Sequence, residues 1–300
     1  RSWVYAQILS KFSNAQTEEA GAASESEIVR WYDKSQHLDF DVCADDHCQR
    51  YQGIPITNSG AIEAAINETQ GIVLMHDGKL CDARFSKCCG GVTEAFSTCW
   101  QNRDYAYLTV KQDNLKNDPS TIDLSNEDAA AAWILNPKPA FCNTDDKELL
   151  RQVLNDYDQQ TANFYRWQIT YSQAELSALI STKIGKDFGD ILDLQPLQRG
   201  IGGRLIKLKI IGTKRSLILG KELEIRRALS PSHLYSAAFI IEKGELSMNV
   251  PQSFTLKGAG WGHGVGMCQI GAAAMSTEGY TYQEIITHYY PNTALSKIWK

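Results

Sequence analysis

Leu205-Ile206-Lys207-Leu208-Lys209-Ile210-Ile211, followed after a short polar break by Ser216-Leu217-Ile218-Leu219, sets apolar residues close to a two-residue repeat. Successive side chains of an extended chain point to opposite faces, so this spacing predicts paired strands with one face buried. Further strands are expected at Leu234 to Ile241 and Ser253 to Lys257. Nearer the start, Ile72-Val73-Leu74-Met75-His76 and Leu80-Cys81-Asp82-Ala83-Arg84-Phe85 flank Asp77-Gly78. Both central positions of a type I′ turn need positive φ, so a hairpin is predicted over 71–86.

Helical signals lie on either side of these runs. Arg1 to Phe12 reads as an amphipathic helix with Trp3, Ile8, Leu9 and Phe12 on one broad face, and Ser59 to Asn67 as a short helix. Thr17 to Glu27, with almost nothing apolar, is expected to be a loop or a frayed helix end. From Trp100 to Trp167 the pattern is polar and helical: Ser125 and Asp128 box a helix start, and Leu149, Leu150, Val153, Leu154 and Tyr157 keep a helical period. Ser172 with Glu175 boxes a helix ending near Gly185, and Thr281 with Glu284 boxes a last one ending before Pro291. Strands and helices come in blocks, which predicts an α+β fold. Its core is an antiparallel or mixed sheet with packed helices, and a helical insertion at about 101–185 forms a second lobe around a groove, all within one domain spanning 1–300.

With 300 residues, 43% of them hydrophobic, the chain can bury a core without help from metals or disulfides. A net charge of −5 without runs of Lys or Arg gives no footprint for a phosphate backbone, so nucleic acid is excluded as a partner. No apolar run approaches the roughly 20 residues that span a bilayer. Eight cysteines are compatible with disulfides in an oxidising compartment or with buried free thiols.

Three stretches can carry chemistry. In Asp41-Val42-Cys43-Ala44-Asp45-Asp46-His47-Cys48-Gln49-Arg50-Tyr51, two thiols and an imidazole within six residues could share a zinc ion; the alternative is a Cys43–Cys48 disulfide. In Gly258-Ala259-Gly260-Trp261-Gly262-His263-Gly264-Val265-Gly266-Met267-Cys268-Gln269, glycines leave His263 unobstructed for acid–base work or sugar contact. Trp261 offers a face for a sugar, and the alternative is a tight turn into a helix beginning near Met267. In Phe85-Ser86-Lys87-Cys88-Cys89-Gly90-Gly91-Val92-Thr93-Glu94, the Gly pair bends the chain and Glu94 could be a general acid if partly buried, or else a surface carboxylate.

Taken in order, these segments resemble the SpoIID/LytB (stage II sporulation protein D-like) family. Arg1-Ser2-Trp3 resembles the end of its Ala-Gln-Ala-x-Ala-Arg-Ser/Thr-Trp/Tyr helix, and Cys43 to Tyr51 its Cys…His-Cys-Gln-x-Tyr element. Ser86 to Glu94 resembles its Ser-x-x-Gly-Gly-x-Thr-Glu turn, with one residue more between the Ser and the Gly pair, and Gly260 to Ala272 its Gly-Trp-Gly-His-Gly-Val-Gly-Met-x-Gln-x-Gly-Ala signature. The resemblance implies an exported cell-envelope protein that acts on peptidoglycan glycan strands by lytic transglycosylation. The muramyl hydroxyl attacks its own anomeric carbon to leave an anhydro-muropeptide, and one carboxylic acid can serve as acid and then base. The family's catalytic Glu lies just upstream of the opening helix. Here Glu94 and His263 stand as the candidate catalytic residues and Gln49, Tyr51, Trp261, His263 and Gln269 as substrate contacts. Cys43 and His47, with Cys48 beside them, are the candidate zinc ligands. Cys88, Cys89 and Cys268 depart from the family pattern. The other readings are a non-catalytic glycan-binding or amidase-activating module partnered with a cell-wall amidase, and a zinc-dependent hydrolase of stem peptides.

Overall fold

A computed structural model of the chain describes residues 1–12, 21–31, 37, 39–45, 48–49, 60–114, 122–154 and 163–299. Its helices are α1 (Ser2–Phe12), α2 (Gly60–Glu68), α3 (Phe96–Cys99), α4 (Glu127–Leu135), α5 (Lys147–Val153), α6 (Gln173–Ile184), α7 (Glu222–Ala228), α8 (Gln269–Thr277) and α9 (Tyr282–Tyr289). The strands run β1 (Gly21–Ala23), β2 (Glu27–Arg30), β3 (Ile72–His76), β4 (Lys79–Leu80), β5 (Phe85–Ser86), β6 (Arg166–Ser172), β7 (Ile191–Arg199) and β8 (Leu205–Gly212). They continue with β9 (Ser216–Gly220), β10 (Phe239–Lys243), β11 (Leu246–Ser247), β12 (Val250–Pro251), β13 (Ser253–Ala259), β14 (Met267–Cys268) and β15 (Ala294–Lys297). The fold is α+β.

The largest sheet has the order β1-β2-β9-β8-β7 and is antiparallel except where β2 joins β9 in parallel. Leu208 and Ile210 of β8 and Leu217 and Leu219 of β9 are buried, as the two-residue repeat predicts, and Leu205 is buried as well, out of phase with it. β7 tolerates Pro196 because it is an edge strand whose pairing shifts register beside that residue. A second sheet, β10-β13-β6, shares this core with α6 and α7. The Asp77-Gly78 turn forms with both residues at positive φ, 46° and 72°, and β15 extends the hairpin to a three-stranded sheet, but the hairpin is shorter than 71–86: its second strand is only Lys79–Leu80, and Phe85 and Ser86 pair with β14 instead. Around that sheet a second core gathers α8, α9 and most of the cysteines.

Several local expectations hold. Both capping boxes are closed, Ser172 with Glu175 and Thr281 with Glu284, and Gly185 ends α6 at φ 73°. Others need correction. The stretch 101–185 is not wholly helical: β6 pairs antiparallel with β13 from Arg166↔Ala259 to Ser172↔Ser253, because Trp167 packs its indole into the strand core. Residues 21–23 and 27–30 form strands; the open side of β9 supplies backbone partners where burial supplies little. The start of α4 is capped by Asn126, whose side chain accepts the Asp128 and Ala129 N–H groups, while Ser125 bonds back to Asp123. Among the described side chains of α1, Trp3 and Gln7, one turn apart, are buried and Leu9 is exposed; the side chain of Phe12 lies outside the described residues. The last helix of the Gly-rich stretch begins at Gln269, since Met267 and Cys268 pair in parallel with Phe85 and Ser86.

Candidate functional site

Two glycine-bearing turns meet between the two cores. The first, after β5, presents Cys88 to Glu94; the second runs from the end of β13 to α8 and carries Trp261 and His263. Cys88 and Trp261 exchange both backbone hydrogen bonds, at 3.0 and 2.7 Å, and the Glu94 N–H donates to the Gly264 carbonyl at 2.9 Å. In the second turn every alternate residue from Gly260 to Gly266 is a glycine in the left-handed region. At Gly264 the requirement is also spatial, because a Cβ there would fall on the buried Arg204 guanidinium.

Glu94 lies wholly inside, 0% exposed. Oε1 accepts from the Ala95 N–H at 3.0 Å, the Thr98 hydroxyl at 3.1 Å and the Gly202 N–H at 3.0 Å; Oε2 accepts from the Arg204 N–H at 3.0 Å. Burial pushes its carboxyl above the usual range, opposed by the Arg204 charge and the backbone donors. Cβ atoms at Gly200 or Gly202 would collide with this carboxylate, so the β7–β8 turn is moulded around it. Glu94 therefore fastens three chain segments together and does not face solvent. Arg204, also buried, donates to the Gly262 carbonyl at 3.2 Å and the Cys89 carbonyl at 3.3 Å.

His263 is partly buried. Its Nδ1 accepts the Val265 N–H at 3.0 Å, and its ring meets the edge of Trp100 with centroids 4.9 Å apart. Burial first, then the charges of Arg84, Arg204 and Arg226, hold its pKa well below the ordinary value, so the imidazole is neutral at neutral pH with its proton on Nε2. Gln49 reaches this nitrogen with its own Nε2 at 3.1 Å while its Oε1 accepts the Phe85 N–H at 2.9 Å. Trp261 is packed rather than free: Tyr235 meets it edge-on at 4.8 Å, Phe164 lies 5.1 Å away, and the Lys87 ammonium sits 3.9 Å from the ring centre. Gln269 is exposed at the first position of α8.

Cys48, preceding Gln49, is fully buried, and Cys43 is half-buried. Their sulfurs and a nitrogen of His37 lie within 4.8 Å of one another, with His37 Nε2 3.1 Å from Cys48 Sγ. His47 and Tyr51 lie outside the described residues. Sequence reasoning missed His37, which lies outside the Cys43 to Cys48 cluster, and Trp100, whose role depends on the turn that brings His263 beside it. It also missed Arg204, for which the flanking Gly202-Gly203 was the only signal. None of the eight cysteines is in a disulfide. Among the described residues no helix is long and apolar enough to cross a membrane.

Comparison with known proteins places this architecture. Residues 94–266, over half of the chain, match a family described as a domain of unknown function (DUF8618), and residues 2–76 match the stage II sporulation protein family. The amidase enhancer of Bacillus subtilis (strain 168) is 25% identical over 242 residues, 77% of this chain and 32% of that protein. Stage II sporulation protein D of the same organism is 26% identical over 154 residues, 49% of this chain and 38% of that protein. An uncharacterized protein of Brachyspira hyodysenteriae (strain ATCC 49526 / WA1) is 40% identical over 67 residues, 22% and 17% of the two chains. The matched regions span less than two fifths of the length of each of these relatives. The chain belongs to the family of that domain of unknown function and carries a SpoIID/LytB-family domain.

Proposed function

We propose that the chain is a peptidoglycan-processing component of the cell envelope, acting outside the cytoplasm, that holds glycan strands beside His263 and enhances a cell-wall amidase. One observation carries this reading: the Glu94 carboxylate is fully buried with four donors upon it, so it is not placed to protonate a glycosidic oxygen. The name of the Bacillus subtilis relative that aligns with 77% of the chain, amidase enhancer, supports the same assignment. Gln49, His263 and Gln269 supply the amide and imidazole donors that sugar hydroxyls need, and the partly exposed edges of Trp100 and Trp261, packed on their inner sides, wall the site. The donor set of Cys43, Cys48 and His37 suits zinc, being thiolate and imidazole within reach of one ion, and His47 is a further candidate ligand. When bound there, zinc would supply a fixed positive charge and a rigid anchor for the segment that carries Gln49.

Lytic transglycosylation is the second reading, favoured by the neutral imidazole of His263 with its Nε2 toward Gln49. It needs a carboxylic acid other than Glu94. Purified peptidoglycan incubated with the chain, with a cell-wall amidase, and with both distinguishes the readings by product mass. Stem peptides released faster by the pair than by the amidase alone are the expected result. Anhydro-muropeptides from the chain alone would assign transglycosylation, and neither product with no glycan retained would remove both.

A further inference from the structure

Behind the two turns, Cys89, Asp113, Cys142 and Cys268 converge from four separate stretches of chain, every one buried and their ligand atoms mutually within 4.8 Å. We propose that they form a closed structural site for one soft divalent metal ion of the zinc class, made of different residues from the His37, Cys43 and Cys48 group. The Cys89 and Cys142 sulfurs are 3.6 Å apart. A tetrahedral site with zinc–sulfur bonds of about 2.3 Å has sulfur–sulfur edges of about 3.8 Å, whereas a disulfide would bring the sulfurs to about 2.0 Å.

The surroundings are those of a ligand shell. Asp113 is 0% exposed, and its ion-pair contact among the described residues is His288 at 3.8 Å, so a carboxylate sits in a dry core without a close cation. Tyr289 donates its hydroxyl to Asp113 Oδ1 at 2.6 Å, the Cys142 N–H donates to Oδ2 at 3.0 Å, and the Cys89 N–H donates to Cys268 Sγ at 3.2 Å. Such outer hydrogen bonds orient metal ligands and stabilise thiolates. Gly271, in the first turn of α8, keeps that helix clear of the carboxylate, since a Cβ there would lie 2.8 Å from Asp113 Oδ2. Binding exchanges three thiol protons for the cation: M²⁺ with three thiols and one carboxylate gives a complex of charge −2 and three H⁺, with no change of oxidation state. Two guanidiniums offset that charge, Arg204 on the Cys89 carbonyl at 3.3 Å and Arg166 on the Gly90 carbonyl at 2.9 Å. With four protein ligands and no open position the ion is structural. It ties the turn before Glu94 and the start of α8 to the loops at 113 and 142, and so fixes the frame of both turns that meet at Trp261.

Metal content by mass spectrometry on the purified full chain tests this. The C43A/C48A variant should retain about one equivalent of zinc, as should C88A in that background, while adding C142A/C268A should remove it. Because the last variant could fail to fold, cobalt loaded into metal-stripped C43A/C48A gives an independent reading: strong thiolate-to-cobalt charge-transfer absorption with tetrahedral d–d bands is expected. No metal uptake by C43A/C48A, a weak octahedral cobalt spectrum, or a Cys89–Cys142 bridge resisting alkylation in protein purified without reductant would overturn the site.

Discussion

Gln49 and His263, 214 positions apart in sequence, face each other through their two Nε2 atoms at 3.1 Å. The Val265 N–H occupies His263 Nδ1, so Nε2 carries the proton, and the Gln49 amide presents a second donor to it. Turning the amide over would only move the mismatch to the Phe85 N–H, which now donates to Oε1. A sugar hydroxyl entering between the two nitrogens can accept from both, which makes the pair a receptor for a hydroxyl rather than a satisfied internal contact. Q49E replaces the amide by a group that accepts from Phe85 and His263 alike. The expected outcome is a rise in the His263 pKa, since a carboxylate beside the imidazole favours its charged form, read by NMR titration, together with weaker retention on peptidoglycan. An unchanged pKa would show that the two side chains do not meet.

The depressed pKa of His263 also sets a sign for stability against pH. In the unfolded chain this imidazole takes up a proton near pH 6.5, whereas in the folded chain burial and three guanidiniums refuse it. The unfolded state therefore binds more protons below about pH 6.5, and stability falls as pH falls. Between pH 7 and pH 5 the wild type should lose more stability than H263Q, which cannot titrate. Urea unfolding of both proteins at the two pH values measures the difference, and equal losses would place the imidazole in solvent.

Glu94 gives the opposite kind of test, of a carboxylate that looks catalytic by its neighbours in sequence and is structural by its contacts. In E94Q one amide N–H₂ must face N–H donors of the β7–β8 turn or the Thr98 hydroxyl, and Arg204 loses its buried countercharge. Removing one partner of a buried charge arrangement costs about 3 to 5 kcal/mol. E94Q is expected to unfold at much lower urea and to lose glycan binding in proportion to its folded fraction. Full stability with activity abolished would return Glu94 to the chemistry.

The residues that sequence reading found and those it missed differ in how local their signals are. The Asp77-Gly78 turn, both capping boxes and the central β8–β9 hairpin were legible because each rests on contacts within a few residues or on a nearly two-residue period. His263, Trp261 and Gln49 were legible as a set through the family resemblance. The burial of Glu94 was not, since it depends on Gly200, Gly202 and Arg204 arriving more than a hundred positions later. β6 did carry a local signal, the alternation of Trp167, Ile169 and Tyr171, overlooked because the polar, helical pattern on either side of it reads as continuous. Asp113 and Cys142 give no local signal, being single residues in loops.

For the zinc donors near Gln49, H37A and C48A should each lower zinc retention at that group, with C48A also loosening the segment that positions Gln49. Mutating a first ligand to a structural metal typically costs most of its affinity, by at least about 10- to 100-fold. Competition with a chromophoric chelator reads the affinity, in a C142A/C268A background if that folds. Unchanged affinity in H37A would leave the ligand role to other residues.

Gly264 offers the cleanest separation of backbone strain from steric contact, because Gly78 provides its control. Both sit at nearly the same left-handed φ, 74° and 72°, but a Cβ at Gly78 would meet nothing within 4 Å whereas one at Gly264 would strike the Arg204 guanidinium. G78A should therefore cost only the left-handed penalty of about 1 to 2 kcal/mol. G264A adds overlap in a packed interior, a further 1 to 3 kcal/mol or about that, and displaces the cation that holds the Gly262 and Cys89 carbonyls. Since Gly264 also accepts the Glu94 N–H, the displaced turn should carry His263 with it and weaken glycan retention beyond the loss of stability. Urea midpoints of the two variants, with peptidoglycan pull-down at equal folded fraction, decide the matter: equal costs would mean that Arg204 yields freely and that the glycine is kept for its φ alone.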